Sequence, residues 1–529
     1  CAGYLATGGK RTIGSLVEYG YYGAVDWDMS GKTIMVDVPF MYIRGDSGSN
    51  INDWSDSTII NTGAYDYYGS SQWRSTYPYD GKLHIENSTM LALSGVDQDG
   101  TPNGFELGYY AWSDINPYYK NSTFVGLATI AAGNEYGNRM PDEFIVEDNV
   151  IVSNTPVVPG STSFAYNEMC VVNGAVNDAV VARNQFFGCG IGVRSMNTVY
   201  SYYCTRSTWG ADNMTIEGNT FDGGVLDVWF ALGSYSDDNV VKDNIHTGAT
   251  QTEYAIYAQD RNTVRPVIEG NTIYNAKEPI YMRGAVGWDI SDNTIFGDGN
   301  SAHAGIYVKD GYGTIDGNSL IDADGGILID GLSYGYSASV TNNEIYQSNG
   351  RTAVSAVGIW AEDCGTSVLE TGGNDITVMG NAIVTDGCDI EDTGSVLTGT
   401  GGTGGMVYTV NILANSFSPQ NLSINEGDTV RWRLQEYSTS TNFQHGTISN
   451  DTDANSVPLW DSGSMNLGAT FTHVFTTAGT YGYTCTNHAN MWGVITVSSG
   501  SASSFTSIGL DVVGSNDDIS LNGTEISGF

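Results

Sequence analysis

The chain reads as an all-β protein in two unequal parts, a long solenoid of stacked coils followed by a small strand-rich C-terminal domain. Three observations predict this. One short phrase recurs through most of the chain. The last hundred residues run as alternating strands between turns. Gly (68) and Tyr (33) are abundant, which suits tight turns and flat β-surfaces and suits long helices poorly.

The recurring phrase places an asparagine between apolar residues, as in Val146-Glu147-Asp148-Asn149-Val150-Ile151, Ile216-Glu217-Gly218-Asn219-Thr220-Phe221 and Ile268-Glu269-Gly270-Asn271-Thr272-Ile273. Its asparagines are Asn149, Asn184, Asn219, Asn244, Asn271, Asn293, Asn318, Asn343 and Asn381, with Asn87 in a looser early copy. Successive steps are 35, 35, 25, 27, 22, 25, 25 and 38 residues. A modal step of 22–27 is one turn of a parallel β-helix, and longer steps carry insertions. It is short for a four-stranded propeller blade. The apolar residues flanking the bend are expected to point inward and stack. The asparagine is expected to take the left-handed conformation there, and its amide to bond the asparagine one coil away. This region, residues 60–395, resembles right-handed parallel β-helix proteins of the pectate-lyase and NosD-like type. The resemblance speaks to architecture.

Residues 1–59 lack the phrase and read as a cap or first coil, with a strand over Thr33-Ile34-Met35-Val36. Residues 396–405 are a Gly/Thr linker, so the two parts are expected to be hinged. The C-terminal domain spans 406–499. The tail, 500–529, has strand-like runs around Ile508 and Ile519. It is expected to be disordered in a lone monomer, or to pair with another subunit as an added strand.

The C-terminal domain carries the chemistry. The run Tyr483-Thr484-Cys485-Thr486-Asn487-His488-Ala489-Asn490-Met491-Trp492-Gly493 is preceded by a distant His445. Cys-x-x-His-x-x-Met with a remote histidine is the ligand set of a mononuclear blue-copper site: a thiolate and two imidazoles in a plane, a thioether on the axis. Around it, Val407-Tyr408-Thr409-Val410-Asn411-Ile412 alternates like a strand. Glu426-Gly427-Asp428 marks a turn, and Val494-Ile495-Thr496-Val497 closes the domain. The region resembles the plastocyanin and amicyanin family of cupredoxins. The resemblance implies a Greek-key β-sandwich with one type-1 copper near one end, held by His445, Cys485, His488 and Met491. It also implies one-electron transfer, with His488 as the port inside an apolar patch that includes Trp492. The family commonly has a hydrogen-bonding residue directly after the first histidine; here that position is Gly446, followed by Thr447. This puts the redox potential in question. His473 lies on a predicted strand and reads as structural.

Composition bounds the partners. With 59 acidic and 20 basic residues the formal net charge is −39, so the basic footprint of a nucleic-acid binder is missing. No apolar run approaches the roughly 20 residues of a membrane span. The acid excess fits an exported protein kept soluble in salt. The chain opens on Cys1, which reads as a processed N-terminus and a candidate lipid anchor. Setting Cys485 aside leaves Cys1, Cys170, Cys189, Cys204, Cys364 and Cys388 for disulfides in an oxidising compartment. Cys364–Cys388 is the favoured pair, with a second among Cys170, Cys189 and Cys204. N-glycosylation sequons fall at Asn87, Asn121, Asn213, Asn421, Asn450 and Asn522.

Catalysis by the solenoid finds little support. Its acidic candidates are Asp322, Asp324, Asp330, Glu362 and Asp363, and its basic candidates Arg261, Arg265, Lys277, Arg283 and Lys309. In so acidic a chain neighbouring carboxylates arise by chance, and no lyase pattern groups the bases. Asp97-Gln98-Asp99-Gly100 and Asp322-Ala323-Asp324-Gly325 resemble short calcium loops, a structural Ca²⁺ expectation without the remaining EF-hand ligands. The reading is an extracellular or cell-surface copper protein, an electron carrier rather than an enzyme, with an unidentified redox partner. Two alternatives stand beside it: a self-associating surface or filament protein, and a glycan-binding or glycan-cleaving solenoid with an appended copper domain.

Overall fold

The structure, a computed structural model, describes the strands and tight turns between Lys10 and Ser527. Residues 1–9, 62–71, 93–104, 108–115, 133–142, 154–168, 194–210, 231–235, 248–253, 298–303, 348–356, 400–406, 435–444, 466–469, 500–507 and shorter connecting stretches lie outside the described residues. Cys1, Cys204, the Asp97–Gly100 loop, Asp322, Asp324, Arg261 and most of the Gly/Thr linker fall among these.

Most coils contribute three short strands, which pair in parallel with their counterparts in the neighbouring coils. A representative coil runs through Val267–Glu269, turns at Asn271, continues as Thr272–Tyr274 and then as Glu278–Arg283. Three parallel sheets result, and inward residues stack in register along each. The first carries the column Val146, Val181, Ile216, Val241, Ile268, Ile290, Ile315. The third carries Ile256, Ile280, Ile306, Ile327, Ile359, Ile383. These side chains are wholly removed from water, and their β-branched shapes stack efficiently on a pleated surface.

The asparagine ladder is present. The backbone and side-chain amides of Asn244 both donate to Asn271 Oδ1 (3.0 Å each), and those of Asn271 donate in turn to Asn293 Oδ1 (3.0 and 2.9 Å). The series continues through Asn318 and Asn343 to Asn374, then to Ser395. Two expectations need correction. The left-handed residue is the one before the ladder position: Asp148, Arg183, Asp243, Asp292 and Asn342, with Gly218, Gly270, Gly317 and Gly373 elsewhere, all have positive φ. The asparagine beside it turns inward and is buried. The last asparagine of the ladder is Asn374 rather than Asn381, which instead donates to Asp511.

Coil strands occur from Trp27–Asp28 onward, with an antiparallel hairpin, Lys10–Ile13 and Leu16–Tyr19, before them. Cys170–Cys189 and Cys364–Cys388 are disulfides that staple neighbouring coils.

The end of the chain differs from expectation. Val396–Gly399 is still a coil strand, and Leu510–Val512, Ile519–Asn522 and Glu525–Ser527 add a further coil to it. Leu510, Ile519 and Ile526 extend the inward columns over Ile383, Ile390 and Leu397. The expected disordered tail is therefore part of the solenoid, because its alternating residues match the register of the coil before it. The C-terminal β domain is thus inserted between two successive coils.

That inserted domain is a sandwich of two four-stranded sheets. One contains Val407–Ile412, Phe417–Ser418, Thr429–Leu434 and Thr470–Val474; the other Asn421–Asn425, Ile448–Ser449, Gly479–Thr484 and Trp492–Ser498. Val410, Ile412, Val430, Trp432, Trp460, Tyr483, Ile495 and Val497 fill the space between them.

Candidate metal centre

The strand pairing of the sandwich brings distant residues to one end. Ile448–Ser449 runs antiparallel to Gly479–Thr484, with Ile448 opposite Thr484. His445 lies just before the first of these strands and Cys485 just after the second. The segment beyond Cys485 folds back on itself: Cys485 N–H donates to Met491 O (2.9 Å) and Met491 N–H to His488 O (3.0 Å). The result is a compact triad. Cys485 Sγ is 3.4 Å from His445 Nδ1 and 3.6 Å from His488 Nδ1, and the two imidazole rings are 4.7 Å apart. Their donor atoms all lie within 4.8 Å of one another, and no other such group of His, Cys, Asp and Glu occurs among the described residues.

The donor set fits a metal ion. Bonds of about 2.3 Å to sulfur and about 2.0 Å to nitrogen, as for zinc, would span roughly 3.7 Å between S and N in a trigonal plane. The observed separations are close to that. His445, Cys485 and Met491 are buried and His488 is half-buried. Burial, aided by the neighbouring His488, holds the His445 imidazole below its usual pKa. That favours the neutral form, which is the one that ligates. Thiolate plus two imidazoles selects soft and borderline transition metals over Mg²⁺ or Ca²⁺.

Residues 406–498 match the family of copper-binding proteins, plastocyanin/azurin, and residues 238–397 match the right-handed beta helix region. The C-terminal domain belongs to the plastocyanin/azurin family of copper-binding proteins. Among solved structures, the cupredoxin domain is similar to a novel purple cupredoxin from Nitrosopumilus maritimus, at 31% identity over 17% of this chain and 98% of that one, with TM-score 0.14. It is also similar to a copper-containing nitrite reductase from Thermus scotoductus SA-01, at 26% identity over 18% of this chain and 23% of that one, with TM-score 0.16. An oxidised amicyanin variant aligns at 26% identity over 17% of this chain and 80% of that one, with TM-score 0.15. No curated protein matches the chain.

The cupredoxin domain replaces the missing side chain after the first histidine with a close loop. A Cβ on Gly446 would sit 1.9 Å from Gly463 O and within 3 Å of Thr486 Oγ1 and Ser462 Oγ. The segment Asp461–Met465 occupies that space. Met465 N–H donates to His445 O (2.7 Å), and Thr447 N–H donates to Ser462 Oγ (2.8 Å). Thr486 Oγ1 donates to Gly463 O (3.4 Å), and Asn487 Nδ2 to Ser464 Oγ (3.2 Å). The segments that carry His445 and Cys485–His488 are thus tied through a third. Sequence reasoning saw the glycine but not the loop, since only the fold brings 461–465 beside it. Trp460 Nε1 donates to Thr447 Oγ1 (3.2 Å), joining this shell to the core.

His473 packs against Trp460 and Phe475 inside the sandwich, consistent with a structural residue. Trp492 is 48% exposed and sits directly after Met491.

Among the described residues, the solenoid candidates do not assemble into an exposed site. Asp330 is buried, accepting from Lys309 Nζ (2.7 Å) and Tyr307 Oη (2.8 Å), and Glu362 is buried too. Asp363 is a left-handed turn residue, and Arg265 pairs with Asp238 at the surface. Calcium finds no support among the described residues. No helix among them is long and apolar enough to cross a membrane.

Proposed function

We propose that the protein is an exported one-electron carrier. His445, Cys485, His488 and Met491 would hold a single copper ion of the type-1 class. The observation that carries this reading is the Cys485–His445–His488 cluster, with both Nδ1 atoms aimed at one sulfur, in a domain of a copper-binding family. When bound, copper would supply one-electron exchange between Cu(I) and Cu(II). The protein supplies rigidity. Backbone hydrogen bonds hold Cys485, His488 and Met491 on one folded-back segment, and the Gly463–Ser464 anchor limits its movement. Buried ligands exclude water. The half-buried His488, with the exposed Trp492 four residues further along the chain, is the edge at which a redox partner docks. Two disulfides and the acidic composition support export.

The test is a visible spectrum after Cu(II) loading, beside Cys485→Ser. A strong band near about 600 nm is expected, bleached by ascorbate and absent in the variant. A protein that takes up copper without that band, or keeps it in the variant, would refute the assignment.

A further inference from the structure

The third solenoid sheet has an outward row that runs in register through Trp229, Tyr257, Tyr281, Tyr307, Leu328 and Trp360. These residues alternate with the inward isoleucines and form a separate hydrophobic cluster from the solenoid core. An outward face is normally wet, yet Tyr281 is 2% exposed and Tyr307 3%. On the other side, Val430, Trp432 and Leu434 of the strand Thr429–Leu434 point into the cupredoxin core. Arg431 alternates with them and so leaves the sandwich on its outer face. It is nevertheless buried, and its guanidinium carbon lies 3.9 Å from the ring centroid of Trp360. Burial draws its pKa down to about 10, so it stays charged at neutral pH. A cation against a desolvated indole face is a favourable pair, and arginine's planar group stacks where lysine's would not.

Chain topology supports the same contact. The cupredoxin domain is tethered at both ends, leaving the solenoid after Val396–Gly399 and returning at Leu510–Val512. Trp360 pairs with Val384, and Val384 with Asp511 in the returning strand. The anchor therefore stands two rungs from the point of re-entry. Two short tethers keep the domain at a high effective concentration near this row.

We propose that the outward aromatic row is an internal docking surface, on which Arg431 clamps the inserted copper domain in one fixed orientation. The hinge expected from the Gly/Thr linker is then held closed, and the metal centre reaches its partner as part of a rigid body. This does not depend on which metal the domain holds.

The experiment measures distances between nitroxides attached through keto amino acids at Val457 in the cupredoxin domain and Tyr346 on the solenoid, both exposed. The full chain is expected to give one narrow distance peak, and Arg431→Glu and Trp360→Ala each a distribution at least twice as broad. Separate melting of the two domains should be unchanged. A broad distribution in the parent chain, or narrow ones in both variants, would overturn the proposal. Should Arg431→Glu unfold the sandwich, Trp360→Ala decides alone, because it alters only the solenoid side.

Discussion

At Gly446 the absence of one carbon shapes the metal centre. Its φ is not in the left-handed region, so the constraint is space: the Gly463 carbonyl lies where a Cβ would go. Gly446→Ala is expected to push the 461–465 segment outward, costing about 1–3 kcal/mol. It should also loosen the tie to Thr486 and Asn487. A lower melting temperature of the copper-loaded domain, together with a shifted visible band, is the outcome to look for. An unchanged melt would mean that the loop yields freely. Other residues behave in ways no local pattern reveals. His246 takes an inward position in the column between Phe221 and Ile273. It stacks on Phe221 with ring centroids 4.9 Å apart, and its Nδ1 lies 2.9 Å from Asp227 Oδ2. Desolvation pushes the Asp227 carboxyl up, and its histidine partner offsets this. A buried histidine–carboxyl contact beside an apolar column depends on a register that only the assembled coils create.

Among the elements, the asparagine turn was the most legible, because its side chains do the same work in every coil. Each ladder asparagine from Asn244 to Asn343 donates to a carbonyl one coil back, accepts from its neighbour on one side and donates to its neighbour on the other. Replacing Asn271 by alanine would take the acceptor away from the Asn244 backbone N–H and from one of the two Asn244 side-chain N–H bonds, the other still reaching Ile216 O, and would remove a donor to Val241 O. A loss of about 1–3 kcal/mol is expected, measurable as a shift of the chemical-denaturation midpoint. A loss below a few tenths would show that the ladder is decoration. Gly380-Asn381 copies the phrase in letters without taking the ladder position. Its neighbours pair differently, and Gly373-Asn374 occupies the true corner. Sequence similarity identified the unit; hydrogen-bond register located it.

For the whole molecule, the decisive feature is the inserted sandwich and the coil that follows it. Deleting residues 500–529 would strip that coil from Ile383, Ile390 and Leu397, all wholly buried. It would bare three parallel strand edges with an apolar interior. The truncated chain is expected to form oligomers by light scattering while its copper domain stays folded. A monomer as stable as the parent would show that this coil is dispensable. The amino-acid sequence by itself determined the all-β class, the coil period and the Cys485–His488–Met491 spacing with its distant His445. Each of these is local, set by alternation, turn residues or short ligand spacing. Only the tertiary structure decided that the tail continues the solenoid as a further coil, that a third segment ties the His445 and Cys485–His488 loops, and that Arg431 meets Trp360. Those contacts join residues far apart in the chain, and register and packing select them rather than any neighbouring residue type.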